Sequence, residues 1–395
     1  MTGIVYFYSS NNSKIMNSFQ PAEAAAFVLS GDPFFDALEC IIAEATEIIH
    51  IQTYIFEADK TGMAVIDSLK AAVKRGVAVF VLADAYGSKS LPKNIIKDAR
   101  AAGIHFRLFS PFFSTESIYM GRRLHHKIVV ADKKTALVGG INIADKYRGT
   151  EEEAAWLDYA VLVKGSVCGS LHRLCESIYR KRSFSGMNAG NTVHAITGHP
   201  VMVRFTRNDW VRSKNEIYRS YLHILQHAKS DVIFVTSYFL PGYRFRKALK
   251  NARSRGVAIT IILAGKSDMP LLFYAEKYLY HFFLKNGISI YEWKRSTMHA
   301  KALVMDEELT TIGSYNLNPL SRYRSIELNA EISDAEFAKE FRKHVSRLIE
   351  HDCVQVTLNK NMYEQTRWSR IKTYLFYYFF KIFFAVFISR KVNNN

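Results

Sequence analysis

Two histidine–lysine pairs are each followed, at identical spacing, by the same polar residues: His-x-Lys-x4-Asp-x6-Gly-(Gly/Ser)-x-Asn. The pattern reads His125, Lys127, Asp132, Gly139, Gly140, Asn142, and again His299, Lys301, Asp306, Gly313, Ser314, Asn316. At about 5% usage per residue type, one chance copy of five such identities has odds of about 1 in 10,000, so two copies are not chance. The residue types suit a phosphodiester. One neutral imidazole can attack phosphorus while the other protonates the departing alkoxide and later deprotonates an incoming hydroxyl. Lys127, Lys301, Asn142, Asn316 and the backbone N–H groups around Gly140 and Ser314 can surround the non-bridging oxygens as charge grows on them. This chemistry asks for no cofactor and no metal. Metal ligation by His125 and His126 is disfavoured, because adjacent strand residues point to opposite faces and no carboxylate cluster converges on them.

Elements must hold these groups in place, and the sequence implies them twice over. HHKIVVAD and MHAKALVMD read as strands, with His and Lys two apart on one face. Around them the chain repeats itself at low identity: Tyr54 matches Tyr238, Gly76 matches Gly256, and Gly103 matches Gly287. In each copy a β-branched run precedes a helix stopped by a basic turn and glycine, and then a second apolar run follows. Strands alternating with helices predict mostly parallel sheets. Asp268 and Pro270 are expected to open a further helix as N-cap and first-turn proline, its aromatic stripe (Phe273, Tyr274, Tyr278, Phe282, Phe283) packed in the core. The Gly/Ser/Asn-rich stretch 183–200 reads as a linker between a first repeat, 1–182, and a second, 201–358, with a tail over 359–395.

The doubled motif resembles the HKD signature of the phospholipase D superfamily, and the resemblance covers about residues 30 to 350. It implies a duplicated α/β sandwich of two lobes related by a pseudo-twofold axis, one active site shared by both motifs, and a phosphohistidine intermediate. It also assigns the nucleophile to His125 and acid/base work to His299. A downstream carboxylate is expected to hold the far nitrogen of each histidine, Asp158 serving the first and Glu327 the second. The resemblance counts Asp132 and Asp306 with the catalytic set, although a bond to backbone suits them better than contact with substrate. The stretch KSDMPLLFYAEKYLYHFFLKNGISIYEW leading into MHAK, and GSYNLNPLS before IELNAEI, are similar to the bacterial cardiolipin synthase branch. Extra residues around Arg322, Tyr323 and Arg324 depart from its commonest form.

With 395 residues, 49% hydrophobic, the chain has ample core material and is not disordered. Four cysteines without ligand spacing suggest neither a disulfide framework nor structural zinc. The N-terminus reads as neither a secretory signal nor a pair of spanning helices. A net charge of +17 calls for an anionic partner. Arg367, Arg370, Lys372, Lys381, Arg390 and Lys391 oppose only Glu364 in the tail, and nine Phe/Tyr fall within residues 374–387. Arg367, Arg370, Tyr374, Tyr377 and Lys381 form one helical stripe; Phe376, Phe379, Phe380, Phe383 and Phe387 form the other. This predicts a helix lying in the interface of an anionic membrane, since Lys381 at mid-span would cost roughly 2.5–3.5 kcal/mol to insert. Phe112, Phe113, Arg122 and Arg123 fit a rim for lipid access and equally a solvated loop.

The expected activity is therefore phosphatidyl transfer on the cytoplasmic face of the cell membrane by a peripheral or tail-anchored protein. A phosphatidyl group would pass to the glycerol hydroxyl of phosphatidylglycerol, making cardiolipin. The alternative is a phosphodiesterase, a hydrolytic phospholipase D or a nuclease. The aromatic tail disfavours nucleic acid, and oligomeric state is not legible.

Overall fold

The strands that follow the motif histidines, Lys127–Ala131 and Lys301–Met305, are buried along their whole length, which explains their apolar residues on both faces. In the computed structural model, which describes residues 19–110, 122–181, 200–358 and 367–392, each lies inside its own sheet. The first sheet has seven strands, ordered Ala24–Leu29, Tyr159–Lys164, Thr135–Gly139, Lys127–Ala131, Ile48–Thr53, Ala78–Asp84, His105–Phe109. The second repeats that order with Val201–Asp209, Ser325–Ser333, Leu309–Gly313, Lys301–Met305, Asp231–Thr236, Ala258–Ala264 and Ser289–Trp293. Gln20–Ala22 and Cys353–Val356 extend its two edges. The α/β duplication is thus plain in the topology.

The sheets are mixed, which corrects the expectation of mostly parallel pairing. Only the last three strands of each seven-strand order pair in parallel. The rest are antiparallel because each motif strand turns straight back on itself. Asp132 and Lys133 (φ 50 and 62), and likewise Asp306 and Glu307 (φ 51 and 56), are left-handed, and Lys134 N–H closes the first turn on the Ala131 carbonyl at 3.0 Å. A two-residue turn of this kind joins only antiparallel neighbours.

One hydrophobic core runs between the sheets, joining Ile128, Val130, Val138 and Val161 of the first to Val235, Ala302, Ile312 and Ile326 of the second. Helices Cys168–Tyr179 and Ala335–Asp352 contribute to the same core. The outer face of each sheet carries a separate core with its own helices, Asp32–Glu44 and Lys60–Lys74 on one side, Glu216–His227 and Tyr243–Ser254 on the other. Helix faces of period 3.6 supply these layers.

The tail helix, Arg367–Val392, lies along helix Pro270–Lys285. Tyr377 stacks on Tyr278 at 4.4 Å and accepts a hydrogen bond from Arg246 at 2.8 Å, while Phe376 stacks on Tyr274 at 5.9 Å. Two expectations are corrected here. Of the stripe on Pro270–Lys285 only Phe283 is buried; Phe273, Tyr274, Tyr278 and Phe282 are half-buried, and Tyr274 and Tyr278 bed the tail. Phe376 and Phe380 turn towards the body, and the exposed apolar row of the tail is Trp368, Ile371, Leu375, Phe379 and Ile382, with Phe383 beside it. Aromatic stacking decides the rotation, since both faces of this helix are apolar. The side chains of Arg367, Arg370 and Phe387, the loop with Phe112 and Phe113, and nearly all of the linker lie outside the described residues. Among the described residues no helix is long and apolar enough to cross a membrane.

Candidate active site

The two lobes meet at the motif histidines and exchange backbone hydrogen bonds there. His125 N–H donates to the Ile326 carbonyl at 3.0 Å, and His299 N–H donates to the Leu157 carbonyl at 2.8 Å. Each accepting residue immediately precedes a carboxylate of the opposite lobe, Glu327 or Asp158. The carboxylates therefore cross over. Glu327 Oε2 lies 2.9 Å from His125 Nδ1, and Asp158 Oδ2 lies 2.7 Å from His299 Nδ1. This corrects the expected pairing of each histidine with a carboxylate of its own repeat. Both carboxylates are fully buried. Accepting from Nδ1–H, they would leave Nε2 of each ring as the basic nitrogen.

The lysines brace the same residues. Lys127 Nζ donates to the His125 carbonyl at 2.5 Å. Lys301 Nζ donates to the His299 carbonyl and stands 3.8 Å from Asp158. All four motif side chains are thus gathered where the sheets meet, as a shared site requires.

Ser314 and Gly140 support the carboxylates rather than presenting themselves to a phosphate, which revises their expected role. Ser314 Oγ–H donates to Glu327 Oε2 at 2.6 Å. At the matching place in the first lobe, a Cβ on Gly140 would sit 2.3 Å from Asp158 Oδ1, so only glycine leaves room. Asn142 is also occupied: its Oδ1 accepts from Ile55 N–H at 3.0 Å and its Nδ2 donates to Tyr147 at 2.7 Å. Asn316 Oδ1 is buried and unpartnered among the described residues, but an amide oxygen only accepts, so it is the Nδ2 amide of Asn316 that would serve a phosphate.

Asp132 and Asp306 stand outside the site. Asp132 accepts from the amides of Thr46, Glu47 and Ile48 at 2.8–2.9 Å, and Asp306 accepts from those of Lys229, Ser230 and Asp231 at 2.7–2.9 Å. Each lies seven residues from its histidine, roughly 23 Å along an extended chain, and clips the hairpin turn to the segment entering the neighbouring strand. Burial pushes both carboxyls up, but the amides outweigh it and hold them below the ordinary range. His126 turns away and pairs with Gln52 at 2.8 Å.

The family model described as cardiolipin synthase, PLD-like domain, matches residues 38–165 and again 221–349, one match spanning each motif. The chain belongs to this family. Cardiolipin synthase B of Escherichia coli (strain K12) is 32% identical over 366 residues, covering 90% of this chain and 87% of that protein. The major cardiolipin synthase of Bacillus subtilis (strain 168) is 27% identical over 387 residues, covering 93% and 77%. The solved phosphatidylserine synthase of Haemophilus influenzae Rd KW20 shares the fold, with a TM-score of 0.73 at 16% identity over 93% of this chain and 95% of that one.

Electrostatics of the PLD-like site follow from burial. Desolvation pushes the Lys127 ammonium down to about 7, opposed by Glu327 and aided by Lys301, and it pushes Lys301 down to about 8 against the pull of Asp158. Both histidines are held below their ordinary value, His299 well below, by burial. His125 is helped down by the lysines but opposed by Glu327, while both lysines lower His299 further. Burial raises Asp158 to about 6. An anion entering this site would restore the ammonium forms. Sulfate, whose charge is constant from pH 6 to 9, should bind more weakly as pH rises through 7 to 8, because the lysines lose their protons there. At pH 8 its binding should take up about one proton, read by calorimetry in buffers of different ionisation enthalpy. Sulfate binding with no proton uptake at pH 8 would show that the lysines are already charged.

Three aromatic rings escaped the sequence reading. Tyr54 packs on His125 with ring centroids 4.9 Å apart, and Tyr238 on His299 at 6.0 Å. Their match between the repeats was the available signal. Tyr147, 5.5 Å from His299, has no tyrosine counterpart in the second repeat to mark it.

Proposed function

We propose that the chain is a membrane-associated phosphatidyltransferase that makes cardiolipin from phosphatidylglycerol. The support with most weight is the 32% identity to cardiolipin synthase B, which runs across 90% of the chain and so through both motifs. In the first step His299 takes up a proton at Nε2 as the anionic phosphodiester enters, His125 Nε2 bonds to phosphorus, the phosphorus–oxygen bond to the glycerol headgroup breaks, and His299 gives that oxygen its proton. In the second, the glycerol hydroxyl of another phosphatidylglycerol gives its proton to His299 and attacks phosphorus, and the bond to His125 breaks. One cardiolipin and one glycerol result. Lys127 and Lys301 balance the charge on the non-bridging oxygens, with Asn316 as a further donor. Residues 1–182 and 201–358 are the two repeats, 183–200 joins them, and 359–395 holds the protein at the cytoplasmic face of the membrane.

Phosphatidylglycerol vesicles incubated with purified protein should yield cardiolipin and free glycerol in equal amounts. Phosphatidic acid as the main product would replace this reading with hydrolysis.

The exposed row Trp368, Ile371, Leu375, Phe379, Ile382 recurs every three or four residues and gives the tail an apolar strip for acyl chains. Leu375→Asp with Phe379→Asp should lower co-sedimentation with phosphatidylglycerol vesicles by about tenfold or more while leaving the melting temperature unchanged, since both residues are exposed. Undiminished sedimentation would remove the tail from membrane binding.

A further inference from the structure

Tyr238 has a left-handed backbone, φ 53, a conformation that a bulky residue keeps only under constraint. The constraint is visible. The next amide, Phe239 N–H, donates to the buried carboxylate of Glu276 at 2.7 Å, and the Tyr238 carbonyl accepts from Asn318 Nδ2 at 3.3 Å. Tyr54, its counterpart in the first repeat, is not left-handed. So the second repeat alone has this geometry; both tyrosine rings pack on their histidines, and what distinguishes Tyr238 is that its hydroxyl meets Asp268.

Asp268 is not the helix cap that its place before Pro270 suggested: Met269 occupies the N-cap position, and no side chain caps the helix. It is exposed, yet it acts as a nearby negative charge on His299, Lys301 and Tyr147. Among the described residues no such pair stands beside His125. There Asp84 is engaged by the amides of Tyr86, Gly87 and Leu124 at 2.9–3.1 Å, and the Gly87 backbone presses on Tyr54 so closely that a Cβ would lie 2.9 Å from its ring.

With the phenol proton donated to Asp268, the pair offers only acceptors: the phenol oxygen and the remaining lone pairs of the carboxylate. They sit beside His299, the histidine that handles both the departing and the incoming alcohol. In phosphatidylglycerol the carbon adjacent to the one that bears the reacting oxygen carries a hydroxyl in both roles, as leaving headgroup and as attacking headgroup. We propose that Tyr238 and Asp268 form the subsite that accepts this vicinal hydroxyl, selecting glycerol headgroups over water and simple alcohols. The proposal rests on the phosphatidyl-transfer reading above and names its headgroup selectivity.

Isomeric diols test it. Phosphatidylglycerol vesicles are offered 1,2-propanediol and deuterated 1,3-propanediol in competition, and the two phosphatidyl-propanediols are counted by mass. The wild-type protein should favour the vicinal isomer about tenfold, the discrimination expected of one hydrogen bond to a charged, partly solvated group. Tyr238→Phe and Asp268→Asn should each bring the ratio close to one. The ratio is internal to each sample, so partial loss of folded protein does not alter it. No preference in the wild type, or a preference that survives both substitutions, overturns the subsite. So does an unmoved diol ratio combined with lost use of phosphatidylethanolamine as donor, which would assign the pair to an ammonium. If the wild type makes neither phosphatidyl-propanediol and releases only phosphatidic acid, the transfer reading itself fails, an outcome distinct from failure of the subsite.

Discussion

His125→Ala and His299→Ala should each lower cardiolipin formation from phosphatidylglycerol by about three to four orders of magnitude. That is about 4–5.5 kcal/mol of transition-state stabilisation, as expected when a nucleophile or its proton-transfer partner is removed from a buried site. The variants should differ in what accumulates. Lipid carrying radioactive phosphorus, quenched in alkali, should leave phosphate on the protein in the wild type and none in His125→Ala. Full activity in either variant would end the two-histidine mechanism. Label retained by His125→Ala and lost from His299→Ala would exchange the roles of the two rings.

Asp158→Asn and Glu327→Gln should follow at about a hundredfold or more, because an amide no longer fixes the ring tautomer or steadies an imidazolium. The crossed arrangement makes the result specific. Asp158 pairs with His299 and Glu327 with His125, so Asp158→Asn should move the imidazole resonances of His299 and leave those of His125 nearly still, with the converse for Glu327→Gln. Residues of one catalytic unit are non-additive in rate, so the test is made on folding stability, where Asp158→Asn should couple with His299→Ala more strongly than with His125→Ala because only the former pair touch. Coupling within each repeat would contradict the crossing.

Much of this site could be read before any coordinates. Duplication singled out the candidate histidines and lysines that the structure gathers at one place, because chance does not repeat a spacing, and the repeat register already set Tyr54 against Tyr238. What escaped depended on contacts between lobes. Asp158 and Glu327 were legible as histidine partners, but their partners were not, since sequence distance favours the nearer histidine whereas the hydrogen bonds of His125 to Ile326 and His299 to Leu157 decide otherwise. Asp132 and Asp306 share the motif yet serve the turn, a role set by left-handed backbone that residue type alone does not announce. The Gly140/Ser314 difference is the space an aspartate needs in one lobe and the hydroxyl a glutamate receives in the other. Period placed an amphipathic helix in the tail, but with aromatics on both sides only the stacking of Tyr377 on Tyr278 shows which side meets protein.

The crossing of Asp158 and Glu327 also bears on when this chain becomes dangerous to the lipids around it. A first repeat emerging from the ribosome carries His125 and Lys127 but lacks Glu327, which is translated about 200 residues later. Until the second half has folded and docked, the His125 ring lacks the carboxylate that orients it, so on the proposed mechanism a lone first repeat would hold its imidazole without a fixed tautomer. Completion of the second repeat and completion of the site are then one event.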